Sequence, residues 1–219
     1  RNVLTGSIDI YGARIGDDGS VLDRAGFPIG TSAGDRFAPV VAAAHSDCLV
    51  VWQDNRNLGT SASDIYGARV TSAGTVSDLA GIALSTSPAD QTAPAVAFNG
   101  SAYGVVWADA RNADTTGLDI YGGEVSETGV LLSKNATLLS TGAVAEQHPT
   151  VAANGANYLV VWEDSRNATA NGTDLYGARV STNGVPLDLN AIPISTAPGD
   201  QLLPSATANG SSPSGADYL

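Results

Sequence analysis

The chain has 219 residues, 43% of them hydrophobic, and a formal charge of −12 from 22 acids against 10 bases. A chain of that length buries roughly 70% of its unfolded surface, so a true core is available and a disordered polymer is excluded. The negative field disfavours nucleic acid and anionic membrane as partners, and no stretch nears the roughly 20 apolar residues of a membrane helix.

One interval organises everything else. Tyr11, Tyr66, Tyr121 and Tyr176 stand 55 residues apart, as do Trp52, Trp107 and Trp162, and Pro39, Pro94, Pro149 and Pro204. The chain is a unit of 55 residues written four times, which points to a repeat architecture.

Each unit reads as four short strands. The first follows the proline, as in Pro39-Val40-Val41-Ala42 and Pro94-Ala95-Val96-Ala97. Asn-Gly at 99–100, 154–155 and 209–210 predicts a tight hairpin with both residues at positive φ; Ala44-His45 in the first copy predicts a different turn. The second strand, Leu49-Val50-Val51-Trp52 and its copies, is apolar on consecutive positions, so both of its faces should be covered. A polar loop from Arg56 to Ser63 leads to the third strand, Asp64-Ile65-Tyr66-Gly67-Ala68-Arg69-Val70. A glycine turn then precedes a looser fourth strand, Ile82 to Ser85, Leu138 to Ser140 and Ile192 to Ser195. Helix signals are poor throughout.

Four antiparallel strands per unit describe a propeller blade, and radial repetition protects sheet edges. The sequence therefore predicts an all-β fold, a four-bladed β-propeller forming one domain over residues 1–219, with an open solenoid or a string of small sheets as the alternative. Arg1-Asn2 aligns with Arg56-Asn57, and Ala216-Asp217-Tyr218-Leu219 with Ala156 to Leu159. The N- and C-terminal strands are thus expected to share one blade, truncated because nothing matches Val160-Val161-Trp162-Glu163-Asp164-Ser165; a piece of a longer array is the other expectation. No signal peptide is visible at Arg1, so any export signal is expected outside this sequence.

The joined pattern, Val50-Val51-Trp52-x-Asp54-x-Arg56-Asn57, then Asp64 to Val70, then Val76 to Ser85, resembles tandem repeats of large secreted or surface proteins of bacteria, notably of myxobacterial type. The resemblance implies an exported protein and transfers no catalytic residue.

Asp54, Asp109 and Asp164 each precede an arginine, Arg56, Arg111 or Arg166, by two positions, so on an extended segment the pairs share a side. With Asp64, Asp119 and Asp174 across the loop, they are expected to form Asp–Arg–Asp locks. Calcium at these carboxylates is possible but not indicated, because the guanidinium competes with a cation, and no cofactor is expected. The repeated Trp and Tyr are expected as core rather than as a sugar-stacking surface. Cys48 stands where other copies carry Tyr103, Tyr158 and Tyr218, and is expected as a packed thiol; a lone cysteine excludes an internal disulfide.

Glu124, His45 and His148 break the repeat and are read as drift. The loops after Arg-Asn vary most and would leave one end of the ring; Thr60, Ser61, Asp114, Thr115, Thr169 and Asn171 are the candidate binding residues there. The functional expectation is an extracellular or surface recognition module without catalysis of its own, taking a glycan or another extracellular polymer or protein. Alternatives are a structural segment of a larger exported protein and an accessory domain of a secreted hydrolase.

Overall fold

The computed structural model describes residues 6–133, 136–140, 142, 144–209 and 218. Most of the end segments matched above, Arg1-Asn2 and Ala216, Asp217 and Leu219, lie outside the described residues, as does Gly210 of the last Asn-Gly pair.

Strands β1 (Ile10–Gly12) and β2 (Phe27–Gly30) form a two-stranded sheet. A four-stranded antiparallel sheet follows in chain order, β3 (Arg36–Ala43), β4 (Asp47–Asp54), β5 (Asp64–Thr71) and β6 (Ile82–Ser85). The second holds β7 (Gln91–Phe98), β8 (Ala102–Asp109), β9 (Asp119–Ser126) and β10 (Thr137–Leu138). The third holds β11 (Glu146–Ala153), β12 (Asn157–Asp164), β13 (Asp174–Ser181) and β14 (Ile192–Ser195). No helix occurs among the described residues, so none is long and apolar enough to cross a membrane. The protein is all-β, as its repeat implied. Among the described residues, four full blades are not seen: three four-stranded sheets and one two-stranded sheet are, and no ladder joins the chain ends. The described residues of the fourth copy contribute the isolated bridge Ala208↔Tyr218.

The prolines lie inside the first strands, not at their start. Each of these strands begins three residues earlier, at Arg36, Gln91 or Glu146, and slips register at the proline, between Phe37 and Val40, Thr92 and Ala95, and Gln147 and Thr150. Two residues there oppose one, which is a β-bulge. Proline has no N–H to leave unpaired, and β3, β7 and β11 are edge strands, where a bulge with proline is tolerated. The residue before each proline pays in backbone strain: φ is 47° at Ala38, 50° at Ala93, 49° at His148 and 54° at Leu203.

The hairpin turns also differ from expectation. Only the glycine is left-handed, φ 97° at Gly100 and 85° at Gly155; Asn99 works through its side chain, whose Oδ1 accepts Ser101 N at 2.9 Å and Ala102 N at 2.8 Å. The first copy closes with the same backbone bond despite lacking Asn-Gly, Ala44 N donating to Asp47 O at 2.8 Å as Asn99 N does to Ala102 O at 3.0 Å.

Successive sheets pack face to face. Leu49, Val51, Ile65 and Leu84 of the first four-stranded sheet meet Tyr103, Val105, Trp107 and Val125 of the second. Val106, Ala108, Ile120 and Leu139 on its other face meet Tyr158, Val160, Trp162 and Ala178 of the third. Trp52, Trp107 and Trp162 are fully buried; each takes about 200 Å² out of water, worth roughly 5 kcal/mol at most. The closest neighbours between sheets are the first strands, β3 with β7 and β7 with β11, so these bulged strands line the inner side of the stack.

Candidate functional site

The repeated carboxylates are structural fixtures. Asp54 Oδ1 accepts Arg56 N and Nε, both at 2.9 Å, and Oδ2 accepts Trp52 Nε1 and Arg56 Nη2, both at 2.7 Å. Asp109 holds Arg111 and Trp107, and Asp164 holds Arg166 and Trp162, in the same way. Each guanidinium also lies over a ring, 3.8 Å from Tyr66, 4.0 Å from Tyr121 and 3.9 Å from Tyr176. The third-strand aspartates are reached by asparagine instead: Asn57 donates to Asp64 at 2.7 Å, Asn112 to Asp119 at 2.9 Å and Asn167 to Asp174 at 2.7 Å. Burial pushes Asp54 up, but the bonds from Arg56 and Trp52 outweigh it and hold the carboxyl below its ordinary value. Asp64, which gains no arginine, is pushed up by burial. Among the described residues, no group of three or more His, Cys, Asp or Glu could hold a metal ion.

The loop residues are largely occupied in holding their own loops. Thr60 Oγ1 donates to Asn57 O at 3.1 Å, and Thr115 Oγ1 to Asn112 O at 2.9 Å. Asn171 Nδ2 donates to Asp174 Oδ1 at 3.0 Å and to Thr196 O at 2.8 Å. Ser61 is buried, whereas Asp114 and Thr169 are exposed.

The third four-stranded sheet departs from this frame at one place, the bulge of β11. The residues before the four repeated prolines are Ala38, Ala93, His148 and Leu203, the first three of them in bulges, so a titratable group stands at this position once. His148 Nδ1 lies 3.0 Å from Glu163 Oε2; the histidine side chain is 47% exposed and the glutamate 2%. Gln147 Nε2 donates to the same oxygen at 3.2 Å, and Leu203 N donates to Oε1 at 2.7 Å. Glu163 occupies the position of Gln53 and Ala108. The bulge thus presents an imidazole on the inner side with a buried, fully bonded carboxylate behind it. Such a pair orients the ring through Nδ1 and leaves Nε2 to meet a ligand.

A second departure is next to it. Glu146 stands where Arg36, Gln91 and Gln201 stand, opposite Asp164 in the ladder. It is fully buried, takes hydrogen bonds from Ser140 Oγ and, at 3.2 Å, from Gly142 N, and burial lifts its pKa to about 7. Glu146 and Glu163 occupy adjacent positions of the ladder and so leave opposite faces of the sheet. Of these residues, the sequence singled out His148 alone and assigned it to drift. Glu146 and Glu163 were equally legible as departures from the unit, but which departures meet depends on the ladder register. His45 and His148 do not meet: His45 Nδ1 lies 3.2 Å from Glu127. Glu124, raised by burial, lies beside Tyr158 between the second and third sheets.

No protein-family model and no curated protein matches the chain. Solved structures do match in fold. An α-L-arabinanase from Penicillium chrysogenum, complexed with arabinobiose, aligns at TM-score 0.53 and 12% identity over 81% of this chain and 50% of its own. An α-L-arabinofuranosidase from Lactobacillus brevis aligns at 0.51 and 16% over 72% of this chain and 57% of its own, and a thermostable family-43 glycoside hydrolase at 0.50 and 10% over 86% and 72%. The chain therefore spans 57% and 50% of the lengths of the first two structures it matches. What is shared is the fold alone: the matched structures are β-propeller glycoside hydrolases. This corrects the expectation of a module without catalysis. That expectation took repetition as a sign of an inert frame, whereas the structures that match this fold are enzymes.

Proposed function

We propose that the chain forms the propeller of a secreted, glycan-acting hydrolase, and that the bulge of β11 is where it meets sugar. In this reading residues 1–219 are one domain and the ring has four blades, the fourth drawn from both ends of the chain. The fold likeness to arabinan- and arabinofuranoside-cleaving enzymes supports the substrate class. The observation that carries the site is His148, exposed on an inner strand and held by the buried Glu163. Nε2 of His148 hydrogen-bonds a sugar hydroxyl and exchanges a proton with it, while Glu163 keeps the ring oriented and balances its charge. Glu146, walled in by Ser140 and Gly142, serves the fold. The net charge of −12 suits a neutral glycan outside the cell.

The test is turnover of arabinan, xylan and aryl arabinofuranosides by the purified protein. Replacing His148→Ala or Glu163→Gln should lower the rate about 100-fold or more, the usual worth of a general acid–base group. Full activity in both variants would remove the site; no turnover and no retention of any of these glycans would remove the function.

A further inference from the structure

We infer that the seam between the second and third four-stranded sheets, at Glu124, Ser133 and Gly184, is a site for one guanidinium group supplied from outside the chain. Two copies of the unit show the same seat filled from within. Arg14 and Arg69 each pair with an aspartate nine residues on, Nε donating to Asp23 at 2.8 Å and to Asp78 at 2.9 Å. Each then crosses to the next sheet, Arg14 Nη1 donating to Ser72 O at 3.2 Å and Arg69 Nη1 to Glu127 O at 3.3 Å. Each lies against the glycine of the turn there: a β-carbon on Gly74 would stand 2.9 Å from Arg14 Nε, and one on Gly129 2.7 Å from Arg69 Nε. Both arginines keep some exposure, so the seat is reachable from solvent.

The second sheet changes both halves of this ion pair. Glu124 stands where Arg14, Arg69 and Arg179 stand, and Ser133 where Asp23, Asp78 and Asp188 stand. A cation and an anion are replaced by a carboxylic acid and a hydroxyl. Over Gly184 the nearest atoms are Glu124 Oε2 at 3.6 Å and Ser133 Oγ at 3.8 Å from the place of a β-carbon. Thr182 O, at the place of Ser72 O and Glu127 O, takes no hydrogen bond from the described residues. The seat that holds a donor twice is here lined by acceptors.

Glu124 is 6% exposed, and its Oε1 is buried without a hydrogen-bond partner. Leaving a carboxylate unbonded in such a place is costly, and burial raises its pKa. A cavity of about 20 Å³ borders Glu124, lined also by Gly104, Tyr158 and Gly184. Gly104 lies opposite Glu124 in the ladder, where Leu49 lies opposite Arg69 and Leu159 opposite Arg179. That cavity holds one water and no side chain, so the guanidinium meets the carboxylate over Gly184, at Oε2. Its N–H groups diverge in a fixed plane, which lets one group bond Glu124 and Thr182 O together, as Arg69 bonds Asp78 and Glu127 O. The seam lies apart from the bulge of β11, so this inference does not rest on the hydrolase reading.

The probe is methylguanidinium chloride, titrated into the full chain at pH 8 and followed by NMR of the backbone amides. Amides of residues 124, 133 and 182–184 should shift and saturate, while tetramethylammonium, a cation without N–H donors, should leave them in place. Glu124→Gln keeps the shape, removes the charge and should weaken binding at least about tenfold. Glu124→Arg with Ser133→Asp rebuilds the pair of the neighbouring copies; it should melt no lower than wild type and lose binding by a similar factor. Two sources carry this group, a free guanidine-type molecule and an arginine side chain of another protein. A capped Gly-Arg-Gly peptide binding about tenfold tighter than methylguanidinium assigns it to a protein, and equal or weaker binding to a free molecule. Shifts of the same size with tetramethylammonium, unchanged binding in Glu124→Gln, or no saturable shift at these amides would each overturn the inference.

Discussion

Trp107 and Glu146 show how a single side chain is set by its surroundings. Trp107 is fully buried between two sheets and donates Nε1 to Asp109 at 3.0 Å. Trp107→Ala should cost about 3–5 kcal/mol in urea unfolding, because the sheets cannot close on the void. Trp107→Phe should cost about 1–2 kcal/mol, most of it from the buried Asp109 losing a donor; a loss under about 1 kcal/mol for the alanine variant would contradict the interface. Glu146 makes a pH-dependent contribution. Its carboxyl titrates near 4.5 in the unfolded chain and near 7 in the fold. Between those values the folded state holds a proton that the unfolded state has released, so the contribution to stability is full below 4.5 and falls as pH rises to about 7. Glu146→Gln installs the residue that Gln91 and Gln201 already provide in this slot. It should remove that slope and, at pH 8, stabilise the protein by up to roughly 3 kcal/mol. Denaturation series at pH 5 and pH 8 measure the difference, and parallel pH profiles for wild type and variant would remove the assignment.

At the scale of elements, the bulged first strand was the part least legible in sequence. The interval between prolines was plain, and so were the apolar second strand and the Tyr-Gly third strand, because their patterns are local. The bulge is not local: it appears only when β11 is laid against β12 and two residues face one. A proline read along the chain looks like a strand start, since it lacks a donor; in the sheet it occupies a place where a donor would have been unpaired. The same blindness hid the candidate site, because Glu163 meets His148 only through that register. Each bulge stores strain at the residue before proline, so Ala93→Gly, at φ 50°, should leave stability unchanged or raise it by up to about 1 kcal/mol. His148→Gly relieves the same strain but leaves the buried Glu163 without the imidazole, and should lower stability by about 1–3 kcal/mol. Melting temperatures that move in the same direction for both variants would contradict this account.

Among the described residues the sheets form a row of neighbours, and stability should be unevenly distributed along it for that reason. In a stack of repeated units each sheet is stabilised by the sheets it touches. The second four-stranded sheet has both faces covered, Trp107 and Val105 by the first sheet and Val106 and Ala108 by the third. All eight residues of its second strand, β8, are buried. The two-stranded sheet sits at one end with Tyr11 and Ile15 open to water, and at the other end β14 buries none of its four residues fully. Opening either end exposes one interface, whereas opening the middle breaks two. The amides of β8 should therefore exchange at the global unfolding rate, and those of β1, β2 and β14 faster, through local opening. Native-state hydrogen exchange with increasing urea separates the cases. If β1 and β8 exchange with the same free energy, the ends are coupled as tightly as the centre, and the ring is closed by contacts stronger than a row of independent interfaces can supply.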